Sequence, residues 1–334
     1  MHEQDDSSSI AYANLQPEQI IATLEGIGYR CDGRFLALNS YENRVYQIGI
    51  EDNVPVVAKF YRPARWSNAE IIEEHVFATQ LADAEIPVVA PVPHQGSSLL
   101  TAGPFRLAVY PYRGGRAPDL DDYDLLRQLG RLVARIHNVG ELETFAHRPT
   151  IDIDSYGTES RDFLLDNEFI PYDLEAAYVT IVEQVLDGVE ACLFRAGAVR
   201  QFRIHADFHP GNVLVAREQI HIVDLDDARS GPAVQDLWMF LSGNQDEQSP
   251  QLSALLEGYQ EFRRFDAREL HLVEALRSLR IMHYAAWLAR RWNDPAFKTA
   301  FPWFAGQRYW DEHILSLREQ VALMQEPPLE WRPR

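Results

Sequence analysis

A segment near the middle of the chain concentrates oxygen-bearing side chains that could hold a cation and accept a proton. Asp207 and Asn212 stand five positions apart, and Asp224 follows the next β-rich run. Carboxylate and amide oxygens are ligands of hard cations such as Mg²⁺, which usually shares them with substrate phosphates. The spacing also matches a phosphoryl-transfer arrangement in which an Asp receives a hydroxyl proton, while an Asn and a later Asp hold the metal. These residues therefore indicate phosphoryl-transfer chemistry.

Other interpretations of this segment stay open from the residues alone. His205, Asp207 and His209 have an H-x-D-x-H spacing that also suits a transition-metal cluster. Asp226 and Asp227 can be solvated or helix-capping side chains, and Asp226 can equally be a further metal ligand. The phosphoryl-transfer interpretation is favoured by the strands around the loop, by the second Asp, and by a lysine that ends an upstream strand.

The chain before this segment has the pattern of a strand-rich unit with one long helix. Residues 34–60 read as strands and end in the upstream lysine, Lys59. Ser67 followed by Glu70 forms a capping box, which predicts a helix start. Residues 105–110 form another predicted strand, and the chain breaks at residues 110–115.

After that break the apolar periodicity becomes helical, with a short β-rich insert around the oxygen-rich segment. We therefore predict an α+β, bilobal fold with a small antiparallel β lobe and a larger helical lobe. The predicted boundaries are a flexible N-terminal tail over residues 1–15, a small lobe with the hinge over 16–115, and a helical lobe over 116–334.

Composition excludes several classes of partner. The 334 residues include 31 Lys and Arg against 50 Asp and Glu, a formal charge of −19, which repels nucleic acid and anionic lipid. The two cysteines, Cys31 and Cys192, give neither a metal-binding spacing nor a disulfide framework. The N-terminus lacks the pattern of a signal peptide, and no apolar stretch approaches the ~20 residues of a membrane span. We expect a cytoplasmic protein without membrane or nucleic-acid partners.

The motifs together resemble a known family. His205-x-Asp207-x-x-x-x-Asn212, then Asp224, Gly231-Pro232 and Asp236, are similar to the aminoglycoside phosphotransferase and choline kinase branch of the protein-kinase-like fold. Longer runs over residues 39–46, 59–63, 231–239 and 290–297 resemble a family of bacterial eukaryote-like Ser/Thr kinases built on that fold. The resemblance extends over nearly the whole chain.

The resemblance implies roles for the catalytic and metal-binding side chains. Asp207 corresponds to the catalytic base that takes the proton of the acceptor hydroxyl. Asp224 is counted with it as catalytic, and Asn212 and Asp224 correspond to the Mg²⁺ ligands. Asp236 corresponds to a buried helix residue that braces the catalytic loop.

The resemblance also implies a nucleotide-binding set. Lys59 corresponds to the lysine that contacts the α- and β-phosphates of ATP, and Glu74 to its ion-pair partner, with Glu73 as the fallback. The hinge that meets adenine corresponds to Tyr110, Pro111 and Tyr112. Ser40 lies in the turn that would cover the phosphates.

Departures from the protein-kinase pattern concern regulation. No G-x-G-x-x-G precedes Lys59, and Ala206 stands where many protein kinases carry an Arg that pairs with a phosphorylated loop. The interval between Asp224 and Asp236 is short and contains one hydroxyl side chain, Ser230. We therefore predict that no activation-loop switch is present.

The function implied is that of an ATP- and Mg²⁺-dependent Ser/Thr protein kinase, autophosphorylating, monomeric and active in stress tolerance. Its partners would be ATP and proteins bearing Ser or Thr, including itself. The alternative is a small-molecule kinase acting on an alcohol of an aminoglycoside, choline or a homoserine-like substrate. A third possibility is a nucleotide-binding pseudokinase, although the intact set of Lys59, Asp207, Asn212 and Asp224 disfavours it.

Overall fold

The small lobe is built on one antiparallel sheet. The computed structural model describes Tyr12, residues 15–217 and residues 219–331. The strands lie in the order β1-β2-β3-β5-β4, and they are β1 (Cys31–Leu38), β2 (Arg44–Ile50), β3 (Val56–Phe60), β4 (Leu100–Ala102) and β5 (Phe105–Pro111). Lys59 lies in the central strand β3, opposite Val45 of β2 and Ala108 of β5. Strand pairing on both sides therefore fixes the backbone that carries Lys59.

One face of the sheet is covered by helix α1 (Pro17–Gly26), which begins with a proline at its first turn. Ile20 and Leu24 of this helix are fully buried in a cluster with apolar residues of β2, β3 and β5. Tyr12 and Leu15 are buried in the same cluster, so the flexible tail predicted for residues 1–15 is wrong at these two positions. Their side chains help to shield the apolar face of the sheet from water, which is favourable. The other residues of the predicted tail lie outside the described residues.

Helix α2 (Asn68–Asp83) crosses the small lobe and starts at the predicted capping box. Ser67 Oγ accepts from the Glu70 backbone N–H at 3.2 Å, and the Glu70 side chain accepts from the Ser67 N–H at 2.6 Å. The buried face of this helix carries Ile71, Phe77 and Glu74. A buried carboxylate on an apolar face costs free energy unless it is paired or neutral, so Glu74 is a candidate for a functional role.

The large lobe is mainly helical. Its helices are α3 (Tyr123–Gly140), α4 (Glu159–Asp166), α5 (Glu175–Ala196), α6 (Gln235–Trp238), α7 (Gln245–Tyr259), α8 (Val273–Arg290), α9 (Pro295–Ala300) and α10 (Gln307–Leu323). Two small antiparallel sheets lie among them, pairing β6 (Phe202–Ile204) with β9 (Arg229–Gly231) and β7 (Val213–Ala216) with β8 (Gln219–Ile222). None of the helices in the described part of the chain combines the length and apolar character that crossing a bilayer would need.

The connection between the lobes runs directly over the β7–β8 hairpin. Arg116 and Val215 exchange backbone hydrogen bonds of 3.0 and 2.8 Å. A Cβ atom on Gly115 would lie 2.8 Å from Leu214 Cβ, so this close approach requires glycine. The antiparallel sheet, the helical lobe and the β-rich insert confirm the predicted α+β bilobal fold.

Candidate active site

Lys59 extends from the small lobe to two carboxylates of the large lobe. Its Nζ lies 2.8 Å from Asp224 Oδ1 and 3.2 Å from Asp226 Oδ1. Burial lowers the pKa of Lys59, but the two carboxylates outweigh burial and hold that pKa well above its usual range. Lys59 therefore remains a cation at physiological pH, which is the state that phosphate binding requires.

The loop that carries Asp207 rests on a buried carboxylate. Asp236 accepts hydrogen bonds from the backbone N–H groups of His205 and Ala206, both at 2.8 Å. Ala206 has left-handed backbone geometry (φ 67°), and its carbonyl accepts from Gln235 Nε2 at 2.8 Å. Such a conformation costs a non-glycine residue about 1–3 kcal/mol, which these hydrogen bonds offset. The structure therefore contains the bracing contact predicted for Asp236.

Three side chains surround the Asp207 carboxylate. Asn212 Nδ2 donates to the Asp207 carbonyl at 2.9 Å and lies 3.5 Å from Oδ2. His209 Nε2 lies 3.6 Å from Oδ2, and Arg280 of α8 places Nη1 2.7 Å from Oδ1. Burial raises the pKa of Asp207, but hydrogen bonding to His209 and the charge of Arg280 outweigh it and lower that pKa. Asp207 is therefore ionised, which is the state that accepting a proton requires. Sequence reasoning missed Arg280, since it lies on a distant helix and in no motif.

Asn212 and Asp224 lie together beside this loop. The Val223 backbone N–H donates to the Asn212 carbonyl at 3.0 Å, which joins the residue before Asp224 to the Asn212 loop. Asp224 has left-handed backbone geometry (φ 63°), and its side chain is half exposed. The Asn212 amide nitrogen faces Asp207, so its oxygen is directed away from that residue. An amide oxygen beside carboxylates is the donor set that Mg²⁺ prefers, so these residues fit that ion.

Asp226 is buried rather than solvated, at 4% exposure. Besides Lys59, it pairs with Arg65 of the small lobe and accepts from Asn43 Nδ2 at 3.2 Å. The same Arg65 places Nη2 2.7 Å from Asp227 Oδ1. Burial raises the pKa of Asp226, but the charges of Lys59 and Arg65 outweigh it and bring that pKa to about 2. Asp226 is therefore an ionised member of the site, a role that the sequence left open.

The histidines of the H-x-D-x-H spacing have other partners. His205 is fully buried, and its Nε2 lies 3.0 Å from the Val223 carbonyl oxygen. His209 Nδ1 accepts from the Gly211 backbone N–H at 2.9 Å. Within the described ranges, no three His, Cys, Asp or Glu side chains cluster as a transition metal would require. His205 instead ties the catalytic loop to the segment after β8.

The predicted pairing of Lys59 with a glutamate of α2 does not form in this structure. Among the described residues, the ion-pair partners of Lys59 are Asp224 and Asp226, and Glu74 Oε2 has no hydrogen-bond partner. Glu73, the fallback, faces elsewhere: it accepts backbone hydrogen bonds from residues 146, 147 and 148 at 2.6–2.9 Å. It therefore anchors a large-lobe loop to α2. Lys59 extends to the large lobe because the two carboxylates of Asp224 and Asp226 attract it more strongly than the single carboxyl group of Glu74.

Glu74 makes folding stability depend on pH. Burial raises its pKa from 4.5 to about 7, although Lys59 lowers it in part. Between these pH values the folded chain retains a proton that the unfolded chain has lost, so the free energy of unfolding falls as pH rises. We expect the Glu74→Gln variant to lack this component, which amounts to roughly 3 kcal/mol between pH 4 and 8.

Urea unfolding of the parent chain and the variant at several pH values measures that difference. Replacing the exposed Glu51 by Gln is the matched control, and it should leave the parent pH dependence unchanged. If the free energy of unfolding depended on pH identically in the parent and in Glu74→Gln, Glu74 would not be the group whose raised pKa causes that dependence.

The other predicted nucleotide contacts lie on the sheet of the small lobe or in its turns. The Tyr110 hydroxyl lies 2.9 Å from that of Tyr61, whose ring is 5.4 Å from Lys59 Nζ. Tyr110 therefore lies near Lys59, and Pro111 and Tyr112 follow at the end of β5. Ser40 Oγ accepts from the Asn43 N–H at 3.3 Å, within the turn between β1 and β2. Contact of these residues with adenine or phosphate stays a prediction.

The glycine-free turn between β1 and β2 is tied to the large lobe by Glu42. Glu42 Oε2 lies 2.7 Å from Arg291 Nη2 and accepts from Trp287 Nε1 at 2.6 Å. Glu42 Oε1 lies 3.0 Å from Arg62 Nε, and Arg62 Nη2 lies 2.9 Å from Asp294 Oδ2. We call these five residues the interlobe network. Ion pairs and a hydrogen bond of Glu42 therefore hold this turn in one position. A glycine-rich loop, in contrast, would have a more flexible backbone.

Comparison with known proteins agrees with this geometry. Residues 34–273 match the model of the phosphotransferase enzyme family. The chain is 44% identical over 328 residues to stress response kinase A of Escherichia coli K12, covering 98% of this chain and 99% of that protein. It is 41% identical, with the same coverage, to a protein of Salmonella typhimurium LT2 named serine/threonine protein kinase RdoA.

A solved structure shares the fold. The amicoumacin kinase hAmiN, solved with AMP-PNP and Ca²⁺, superposes with a TM-score of 0.71 at 20% identity, over 96% of this chain and 97% of that one. The family match spans both lobes and includes Lys59, Asp207, Asn212 and Asp224. The chain therefore belongs to the phosphotransferase enzyme family, and it is a kinase of that family.

Proposed function

We propose that this kinase is an ATP- and Mg²⁺-dependent Ser/Thr protein kinase that phosphorylates itself and other proteins in a bacterial stress response. The observation that carries the proposal is the 2.8 Å contact between Lys59 and Asp224, which joins the two lobes beside Asp207 and Asn212. The names of the relatives support a protein acceptor and a role in stress. The proposed partners are ATP and proteins bearing Ser or Thr, and the chain acts as a cytoplasmic monomer.

Each side chain has a part in the proposed transfer. The ionised Asp207 orients the acceptor hydroxyl and accepts its proton while the hydroxyl oxygen bonds to the γ-phosphorus and ADP leaves. Lys59 neutralises charge on the α- and β-phosphates, and Asp236 keeps the Asp207 loop in place. Asn212 and Asp224 would hold Mg²⁺, which when bound supplies charge neutralisation for the phosphates.

The nucleotide is held by residues of the small lobe in this proposal. Tyr110, Pro111 and Tyr112 contact the adenine, and the turn that contains Ser40 covers the phosphates. Glu74 is close enough to Lys59 to raise its pKa, and it would pair with Lys59 if Asp224 and Asp226 turned toward a bound cation. The domain boundary at residues 115–116 then separates nucleotide binding from acceptor binding.

Incubation with labelled ATP and Mg²⁺ tests the function. The enzyme is examined alone, with a generic protein, and with a panel of small alcohols and amines. We expect label on the chain itself and on the added protein. Label confined to a small molecule would overturn the protein-kinase proposal and support the alternative of a small-molecule kinase.

Activity should be independent of prior phosphorylation of a loop. Ser230, the one hydroxyl side chain between Asp224 and Asp236, lies in β9, where its N–H and carbonyl bond to Pro149 and Ile151 at 3.0 and 2.8 Å. That segment is already ordered, so no phosphate is needed to order it. Phosphatase-treated enzyme, verified by mass spectrometry, should phosphorylate added substrate at a rate within about twofold of the untreated enzyme. A large loss of that rate would reveal a switch elsewhere.

A further inference from the structure

A groove opens on the acceptor side of Asp207. It has a volume of about 420 Å³, within the range of ligand sites. Its walls are two facing helix stripes at i, i+3, i+4 and i+7 spacing, one on α8 and one on α10, with Trp238 between them. The α8 stripe contains Arg280, whose guanidinium lies 2.7 Å from Asp207 Oδ1. The groove therefore begins at the proposed catalytic base.

The charged side chains that line this groove favour an anionic group. They are Arg277, Arg280 and Glu312, a positive balance in a chain whose formal charge is −19. Glu312 pairs with Arg308 on its own helix at 2.7 Å. Arg277 packs over the Trp238 ring at 5.4 Å and lies 3.2 Å from Glu274. The side chain of Arg280 is 39% exposed, so a bound anion can reach it.

The rest of the lining suits an extended segment of protein. Tyr284 and Glu312 are exposed at the groove edge, so the groove is open along its length rather than enclosed. His313 lines it between the rings of Tyr178 and Tyr309, and its Nε2 has no hydrogen-bond partner. Burial lowers the pKa of His313 to about 4, so its ring is neutral and adds no charge to the groove. Small-molecule sites, in contrast, usually enclose most of their ligand.

We propose that this groove binds the protein acceptor and selects a Ser or Thr that is flanked by acidic side chains, which Arg280 and Arg277 recognise. The inference rests on the proposed Ser/Thr kinase function and names its substrate class. An acidic side chain beside the acceptor pairs with Arg280 and brings the hydroxyl next to Asp207. Transfer then forms the bond between that oxygen and the γ-phosphorus of ATP and breaks the γ-phosphorus–oxygen bond to ADP, and the hydroxyl proton passes to Asp207.

The test uses the full chain with ATP, Mg²⁺ and three synthetic peptides. Each peptide has one Ser, flanked by Glu, by Ala or by Lys. We expect kcat/KM for the Glu peptide to exceed that for the Ala peptide by about tenfold, with the Lys peptide lowest, and this ratio should shrink as salt is added. Arg277→Gln should lower the Glu-to-Ala ratio several-fold, chiefly through KM. Arg280→Gln should lower it too and should also reduce kcat, because Arg280 contacts Asp207, while Arg280→Lys should restore part of the ratio.

The exposed Arg318 of α10 lies outside the groove, so Arg318→Gln is the matched control and should keep the parent ratio. Equal kcat/KM for the three peptides, a preference for the Lys peptide, or a ratio unchanged in Arg277→Gln would overturn the acidic-acceptor inference. In those cases label on a generic protein would leave the proposed protein-kinase function intact. Absence of label on every peptide and protein would remove that function and this inference together. Even if a groove variant fails to fold, the Glu-to-Ala ratio of kcat/KM measured on the parent chain, and its dependence on salt, still test the acidic-acceptor inference.

Discussion

Asp207→Ala should lower phosphoryl transfer by about 10²–10⁴-fold while leaving nucleotide affinity nearly unchanged. Arg280 and His209 hold Asp207 ionised, whereas Lys59 and Asp224 form a separate ion pair between the lobes. The substitution removes the group proposed to orient the hydroxyl and accept its proton, and it leaves Lys59, the proposed phosphate-binding residue, in place. Label incorporation and nucleotide titration, measured on the same preparation, separate the two effects.

Asp224→Ala is the informative contrast to this variant. It removes a proposed metal ligand and a partner of Lys59, so we expect both Mg²⁺-dependent nucleotide binding and turnover to fall. Asp207→Asn keeps the shape of the side chain and should be nearly as slow as Asp207→Ala, because the amide cannot accept the proton. Near-normal turnover in Asp207→Ala would show that the loop does not act as the kinase motif implies.

Glu42→Ala should destabilise the folded chain by about 3–5 kcal/mol, the usual cost of removing one partner from a buried ion-pair cluster. Glu42 is the shared acceptor of Arg62, Arg291 and Trp287, and its side chain is 11% exposed. The variant leaves two mostly buried guanidinium groups without this carboxylate. The turn between β1 and β2 loses its anchor as well, so its backbone amides should exchange hydrogen faster.

Urea unfolding and hydrogen exchange measure the two consequences of Glu42→Ala. Glu51→Ala is the matched control, because Glu51 is exposed and lies 3.9 Å from Arg30, which is exposed as well. Such a surface pair contributes about 0–1 kcal/mol, so this control should unfold almost as the parent does. A loss of stability in Glu42→Ala no larger than in the control would show that the interlobe network does not hold the turn.

Features that depend on neighbouring residues could be predicted from the sequence. The capping box at Ser67 and Glu70 closes one helical turn, and the spacing of Asp207 and Asn212 is set within one loop. The strands over residues 34–60 follow from their alternation of polar and apolar side chains. The resemblance of the motifs to the phosphotransferase family added the fold, which the family match confirms.

Contacts between distant residues were decided only by the tertiary structure. Lys59 and Asp224 are 165 positions apart, and Trp287 and Glu42 are 245 apart, so no periodicity records either contact. Tertiary packing also decided three other features: the burial of Asp226, the pairing of Asp207 with Arg280, and the separation of Glu74 from Lys59. Each depends on how the two lobes and helix α8 pack, because burial and the nearest opposite charge set the partner of an ionisable side chain. The sequence by itself determined the motifs and their candidate residues, and the packing of the lobes determined which of those residues meet.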